Sequence, residues 1–339
     1  MNIKEIPIIF IVSRGRSGST LLQSILDAHP NICAPLESKF VLHLSTKYKN
    51  KKEWDKTTIK QFIKDIFTNR KFRLFWKVTP TELDLLFKKH QIESFSDACK
   101  VIYLSYHSMF EKEEIKLIID KNPLHALYIP EILNVFPNAK FIHLIRDPRA
   151  SSYSHIKANM QKNILIAAYD WRIYNEKIES IKSLKTLSFF TIKYENLVSS
   201  PLLEFKKIFD FVEISFYPCL LNANSTIKKN YKNNKYLSLP HHKNITKPIT
   251  KSKINLWKSE LTHKEIEIIN LICEKQLIDY QYQHNLSSHT LRRRLTFKYG
   301  ILRANLENWI VHSLFKLPFS FRTFIYKIVS ILMDHKYKN

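Results

Sequence analysis

Ile8-Ile9-Phe10-Ile11-Val12-Ser13-Arg14-Gly15-Arg16-Ser17-Gly18-Ser19-Thr20-Leu21-Leu22 passes from a continuous apolar run, through a loop of glycine, serine and arginine, into apolar residues at helical spacing. Leu21, Leu22, Ile25 and Leu26 continue that spacing, so the stretch predicts strand, loop and helix, with the helix starting near Ser19. The 339-residue chain holds three glycines, and two stand in this loop. Glycine tolerates positive φ and lets a ligand approach the backbone. The first amides of a helix lack internal partners and sit at the positive end of its dipole. With the hydroxyls of Ser17, Ser19 and Thr20 and the charges of Arg14 and Arg16, the loop suits a phosphate-like anion. An ordinary serine-capped helix after a strand is the plainer alternative. The glycine spacing fits neither a Walker A loop, which also needs Lys-Ser or Lys-Thr, nor a dinucleotide loop, which needs a third glycine.

Further along, Ile115 to Ile119 and Lys140 to Ile145 read as buried strands, separated by a helical pattern through Leu124, Leu127, Ile129, Ile132, Leu133 and Phe136. A further strand is expected from Leu187 to Ile192. This punctuation predicts an α/β fold whose parallel central sheet is flanked by helices, with ligands gathering at the carboxyl ends of the strands. Lys140 to Ala150 repeats the strand-to-helix arrangement: Asp147 suits an N-cap, Pro148 the first helical position, and Arg146 is left at the strand mouth. Ser154 follows eight residues later. A structural Arg146–Asp147 ion pair is the alternative for these two charges.

The size allows one large α/β domain with additions or two smaller units. No signal peptide and no apolar run of about 18 residues is evident, which leads to the expectation of a cytoplasmic protein without a spanning helix. Cys33, Cys99, Cys219 and Cys273 are widely spaced, which predicts reduced, mostly buried thiols and no zinc site. His241-His242 lacks accompanying ligands, so no metal is expected. A formal charge of +24 calls for an anionic partner. Nucleic acid is disfavoured, because the lysines are spread along the whole chain and no recognition signature is present.

Arg16-Ser17-Gly18-Ser19-Thr20 resembles the 5′-phosphosulfate loop of sulfotransferases that use 3′-phosphoadenosine 5′-phosphosulfate (PAPS), and Arg146 with Ser154 resembles their 3′-phosphate pair. Asp27-Ala28-His29-Pro30 with Glu37, Lys121-Asn122-Pro123, Phe136-Pro137-Asn138-Ala139-Lys140 and Tyr194-Glu195-Asn196-Leu197 resemble successive blocks of the carbohydrate and tyrosylprotein branches. The resemblance implies a three-layer P-loop-type fold and a donor site of Arg14, Gly15, Arg16, Ser17, Gly18, Ser19, Thr20, Arg146, Ser154 and Tyr194. It further implies Glu37 as general base, Lys121 and Arg16 as stabilisers of transferring charge, 3′,5′-adenosine bisphosphate as product, and no required metal. The acceptor would present a hydroxyl, or secondarily an amine, on a carbohydrate, peptide tyrosine, lipid or metabolite. Gly15 departs from the pattern, since many relatives carry proline there. The Arg-Lys-Gly block of cytosolic small-molecule sulfotransferases is absent. An atypical P-loop small-molecule kinase and a noncatalytic basic membrane- or nucleic-acid-binding protein are the competing readings.

Two environments bear on Glu37: burial beside an anionic donor raises its pKa, while Lys39 or Arg16 nearby lowers it. A Glu37–Lys39 surface pair is the structural alternative. For Tyr194, core packing competes with adenine contact, and Lys247 reads as a solvated lysine or a phosphate contact. The expected organisation is a catalytic domain over residues 1–285, with a helical acceptor-binding insertion at about 39–112, and a basic amphipathic helical extension over 286–339. Residues 160–184 suit a helix with Trp171 in the core. From Thr290 to Asn339 ten Lys or Arg stand against Glu307 and Asp334. Arg292-Arg293-Arg294 with Leu306, Trp309, Ile310, Leu314 and Phe315 suits peripheral contact with a membrane. Packing on the catalytic domain or a second subunit explains the same pattern.

Overall fold

Five strands form one parallel sheet in the computed structural model, which describes residues 2–184, 187–230 and 244–283, together with 306, 313 and 317–325. They are β1 (Ile8–Val12), β2 (Ile32–Cys33), β3 (Leu117–Lys121), β4 (Lys140–Ile145) and β5 (Phe189–Lys193), in the order β2-β3-β1-β4-β5. The unbroken apolar runs of β1, β3 and β4 are what a parallel sheet covered on both faces requires. Register pairs Ile11 with Lys121 across β1–β3 and Val12 with His143 across β1–β4, which puts the ends of β1 and β3 at one carboxyl edge with β4 running two residues further, to Ile145.

Alternate residues of β1 serve opposite layers. Ile8, Phe10 and Val12 face a core shared with the helical insertion, and Ile9 and Ile11 face one shared with α1 (Ser19–Asp27). The insertion comprises α2 (Phe40–Tyr48), α3 (Lys56–Ile66), α4 (Arg70–Phe75), α5 (Pro80–Lys89) and α6 (Phe95–Leu104). Polar N-caps start four of these helices: Asp55, Asn69, Thr79 and Ser94 each accept a bond from an amide in the first turn, the last two within capping boxes. The sheet then continues through α7 (Ile129–Leu133), α8 (Pro148–Lys157), α9 (Ile164–Lys182), α10 (Tyr194–Ser199) and α11 (Pro201–Val212).

Several expectations shift in detail. The strand expected at Ile115 to Ile119 lies two residues later and ends on Lys121, and the last strand runs to Lys193 rather than Ile192. The helical pattern between β3 and β4 resolves into a 3-10 turn at Pro123–Leu127 and the short α7, because Pro130 interrupts the amide series. Cys33, Cys99 and Cys273 are buried, whereas Cys219 is exposed. No described helix is long and apolar enough to cross a membrane.

His241, His242, Arg292 to Arg294, Trp309, Ile310, Leu314 and Phe315 lie outside the described residues. Within the tail, Leu306 is exposed, while Phe319 and Arg322 pack on α2. Arg322 is fully buried and donates to the His43 carbonyl and to Thr46 Oγ1, both at 2.5 Å. Lys47 Nζ lies 5.1 Å from the Phe319 ring centroid.

Candidate functional site

Gly18 caps α1 with φ of 93°, in the left-handed region where a side chain is strained. Space forbids a side chain there as well: a Cβ would lie 2.5 Å from the Tyr194 ring. Gly15 carries no such demand. Its φ is not in the left-handed range, and an added Cβ would make ordinary contact with His155 Nε2 at 3.5 Å. The turn's other left-handed position is Arg16, at φ 65°. A non-glycine residue held there costs of order 1–3 kcal/mol, which the surrounding structure must offset. The loop thus directs the first amides of α1 and the Arg16 side chain to the carboxyl edge of the sheet.

The two segments expected to share an anion site are in contact. Arg16 Nε donates to Ser154 Oγ at 3.2 Å, and Arg146 donates to the Arg16 carbonyl at 3.0 Å and the Lys253 carbonyl at 2.7 Å. The Arg146 guanidinium stacks over Tyr194, 4.4 Å from the ring centroid, and its Nε is buried without a hydrogen-bond partner among the described residues. Trp171, expected in the core, holds this arginine from behind by donating to its carbonyl at 3.0 Å. Burial first, and then the nearby Arg146 charge, depress the Arg16 pKa, an unfavourable concentration of cations that a bound anion would relieve. Asp147 caps α8 through the Arg149 amide and forms a bidentate pair with the Arg149 side chain, so the Arg146–Asp147 pair is replaced by one two residues on. Glu195 accepts from the Asp147 amide and from Tyr282, bracing the turn after β4.

Arg14 turns elsewhere. It pairs with Asp170 of α9 at 3.0 Å and lies over the Tyr174 ring, an attachment that no spacing in the sequence signals. Tyr194 is wedged between Gly18 and Arg146, which accounts for its position by packing. Lys247 is exposed. His29 stacks on Tyr217 and accepts from the Asn31 amide.

Across the loop, Lys121 at the end of β3 is fully buried, with Nζ 3.4 Å from Thr20 Oγ1 and 2.5 Å from Glu37 Oε1. Lys71 of α4 binds the other oxygen, Oε2, at 2.7 Å. The expected surface pair with Lys39 is therefore replaced by a two-lysine clamp. Burial pushes the Glu37 carboxyl up, but Lys121 and Lys71 outweigh it and hold the group ionised, well below the ordinary carboxylate range. Behind Lys121, Asp120 accepts from Tyr103 at 2.5 Å, with His125 Nδ1 3.7 Å away. Burial raises the Asp120 pKa to about 7 despite that bond and the neighbouring Lys121 charge. Burial likewise lowers His125 to about 3, so its ring is neutral. Sequence reading missed Asp120, because the strand was expected to end at Ile119, one residue short of it. It missed Lys71 too, one lysine among many in the insertion.

The arrangement provides a concentration of positive charge and hydrogen-bond donors along one sheet edge, with the ionised Glu37 carboxylate held between Lys121 and Lys71 beside it. The Arg146 Nε, buried and unpartnered among the described residues, the first amides of α1 and the crowded arginines fit a ligand with anionic groups at both ends.

A family model described as Sulfotransferase family matches residues 7–218. The chain is 25% identical over 237 residues to Protein-tyrosine sulfotransferase 2 of Gallus gallus, a match covering 67% of this chain and 56% of that protein. It is 23% identical over 236 residues to Protein-tyrosine sulfotransferase 1 of Danio rerio, covering 67% and 58%. The chain thus spans little more than half the length of these curated relatives. Among solved structures it is similar to the sulfotransferase domain of the Synechococcus PCC 7002 olefin synthase, with a TM-score of 0.58 and 22% identity over 82% of this chain and 96% of that one. The sulfotransferase domain of the curacin biosynthetic pathway gives a TM-score of 0.52 and 21% identity over 83% and 99%. These two likenesses are of fold.

Proposed function

The chain belongs to the sulfotransferase family, and we propose that it moves a sulfuryl group from PAPS to an acceptor hydroxyl, with peptide tyrosine the first acceptor to test because curated relatives are named for it. The observation that carries this reading is the convergence of Arg16, Arg146 and Ser154 on one side of the loop with Lys121 and Glu37 on the other. When bound, PAPS supplies an activated sulfuryl group on a phosphate leaving group. Arg16, Ser17, Ser19, Thr20 and the first amides of α1 are the groups to hold its 5′ end, and Arg146 and Ser154 those to hold its 3′-phosphate.

Each protein group then has a stated task. Glu37 takes the proton of the acceptor hydroxyl, which its ionised state permits. Lys121, rigid at the end of β3, donates toward the negative charge that builds as the leaving oxygen separates. Loss of one such donor is worth about 3 kcal/mol of transition-state stabilisation. The helix amides and arginines fix the line of displacement, the larger part of catalysis in transfers of this type.

Incubation with labelled PAPS and a panel of tyrosyl peptide, carbohydrate, lipid and metabolite acceptors tests the assignment. Transfer should collapse in both Arg16→Ala and Glu37→Ala, and undiminished transfer in both refutes it. Calorimetry should favour 3′,5′-adenosine bisphosphate over Mg-ATP; the reverse preference would point to the kinase reading.

A further inference from the structure

Both oxygens of the Glu37 carboxylate carry an ammonium group: Lys121 on Oε1 at 2.5 Å and Lys71 on Oε2 at 2.7 Å. A base so neutralised takes a proton poorly, and an acceptor hydroxyl approaching Oε2 meets Lys71 in its way. The two lysines differ in how readily they can leave. The Lys121 side chain is 0% exposed and fixed at a strand end, whereas that of Lys71 is 40% exposed on the six-residue α4 of the insertion. Moving Lys121 would strand a buried charge, while moving Lys71 returns an ammonium to water.

We propose that Lys71 is a gate on Glu37: it holds the carboxylate in the free enzyme and swings into solvent as the acceptor hydroxyl takes its place at Oε2. This rests on Glu37 being the base. The other groups facing Glu37 stay put on either side of the exchange. Lys121 and Asp120 are on β3, Lys39 precedes α2, and the neutral His125 follows β3. Lys71 contributes to the clamp and, being on the insertion, couples the acceptor-binding layer to the reacting carboxylate. It is a positioning residue, since its action on the reaction passes through Glu37.

The gate has a kinetic signature. The pH dependence of kcat/KM reports the free enzyme, in which Lys71 is on, and that of kcat reports the complex, in which it is off. Initial rates with labelled PAPS and the best acceptor of the panel, taken across the acid range, are compared for wild type, Lys71→Met, Lys71→Arg and Glu37→Gln. In Lys71→Met the acid limb of kcat/KM should move up by about one pH unit or more, the effect of removing one adjacent opposite charge, while the acid limb of kcat stays in place. Lys71→Arg should keep the wild-type kcat/KM limb. If Lys71→Met leaves both limbs unmoved, or moves both together, while Glu37→Gln removes transfer, the gate is overturned and the base stands. Full transfer by Glu37→Gln would instead overturn the base and the gate with it.

Discussion

Gly18 and Gly15 look alike in the sequence and differ in what the fold asks of them. At Gly18, positive φ and the Tyr194 ring both exclude a side chain. Gly18→Ala should therefore destabilise by about 1–3 kcal/mol and displace the ring beneath Arg146. Gly15→Ala should stay within about 0.5 kcal/mol of wild type. Denaturant unfolding of the two variants measures the contrast, and equal losses would show that the loop is differently shaped. Asp120 carries a second prediction at this scale. Its pKa rises from the ordinary carboxylate value near 4 in the unfolded chain to about 7 on folding, so the folded state binds the extra proton between those values. Its contribution to stability is fully present below about pH 4 and is lost as pH rises through about 7. Asp120→Asn should flatten the stability profile across that window and leave a more stable protein at pH 8. A profile that keeps its slope in the variant would assign the titration to another group.

The insertion's first helix is held from outside its own sequence. Arg322 reaches from the tail to the last turn of α2, and Phe319 packs against His43 of the same helix. Because α2 begins three residues after Glu37, this brace steadies the wall beside the proposed base. Arg322→Ala should cost about 2 kcal/mol, the scale of a charged hydrogen-bonded group lost from a buried place. Amide exchange should quicken across residues 40–48 while residues 8–12 remain protected; uniform acceleration would mean that the whole domain depends on the contact. That pairing was illegible beforehand because amphipathic spacing in the tail names an apolar face without naming its partner. The strands were readable where burial on both faces enforces apolar runs, as in Ile8–Val12 and Lys140–Ile145, and β2 escaped because two residues carry no period. The same physics governed the site. Arg16 and Arg146 were legible from strand-to-helix punctuation, and the weight given to Glu37 and Lys121 came from resemblance. Lys71 had no local mark, since its meaning depends on a contact 34 residues away in sequence.

At the scale of the molecule, the site sits where the sheet's connections diverge. From β1 the chain proceeds toward the β2 edge, and from β4 toward β5, although β1 and β4 are neighbours. The crevice between such strands is open at their carboxyl ends, because the following loops turn away from one another. Both arginine-bearing segments begin there, and Arg146 binds the backbone of Arg16 itself. Donor binding should therefore treat them as one unit. The rise in unfolding temperature caused by 3′,5′-adenosine bisphosphate measures its affinity for the folded state. Arg16→Ala and Arg146→Ala should each remove most of that rise, and the double variant should lose less than the sum of the two, with a coupling of at least about 0.5 kcal/mol. Strict additivity would mean that the two arginines act independently on the two ends of the ligand, and the coupling through the Arg146 bond to the Arg16 carbonyl would have to be abandoned.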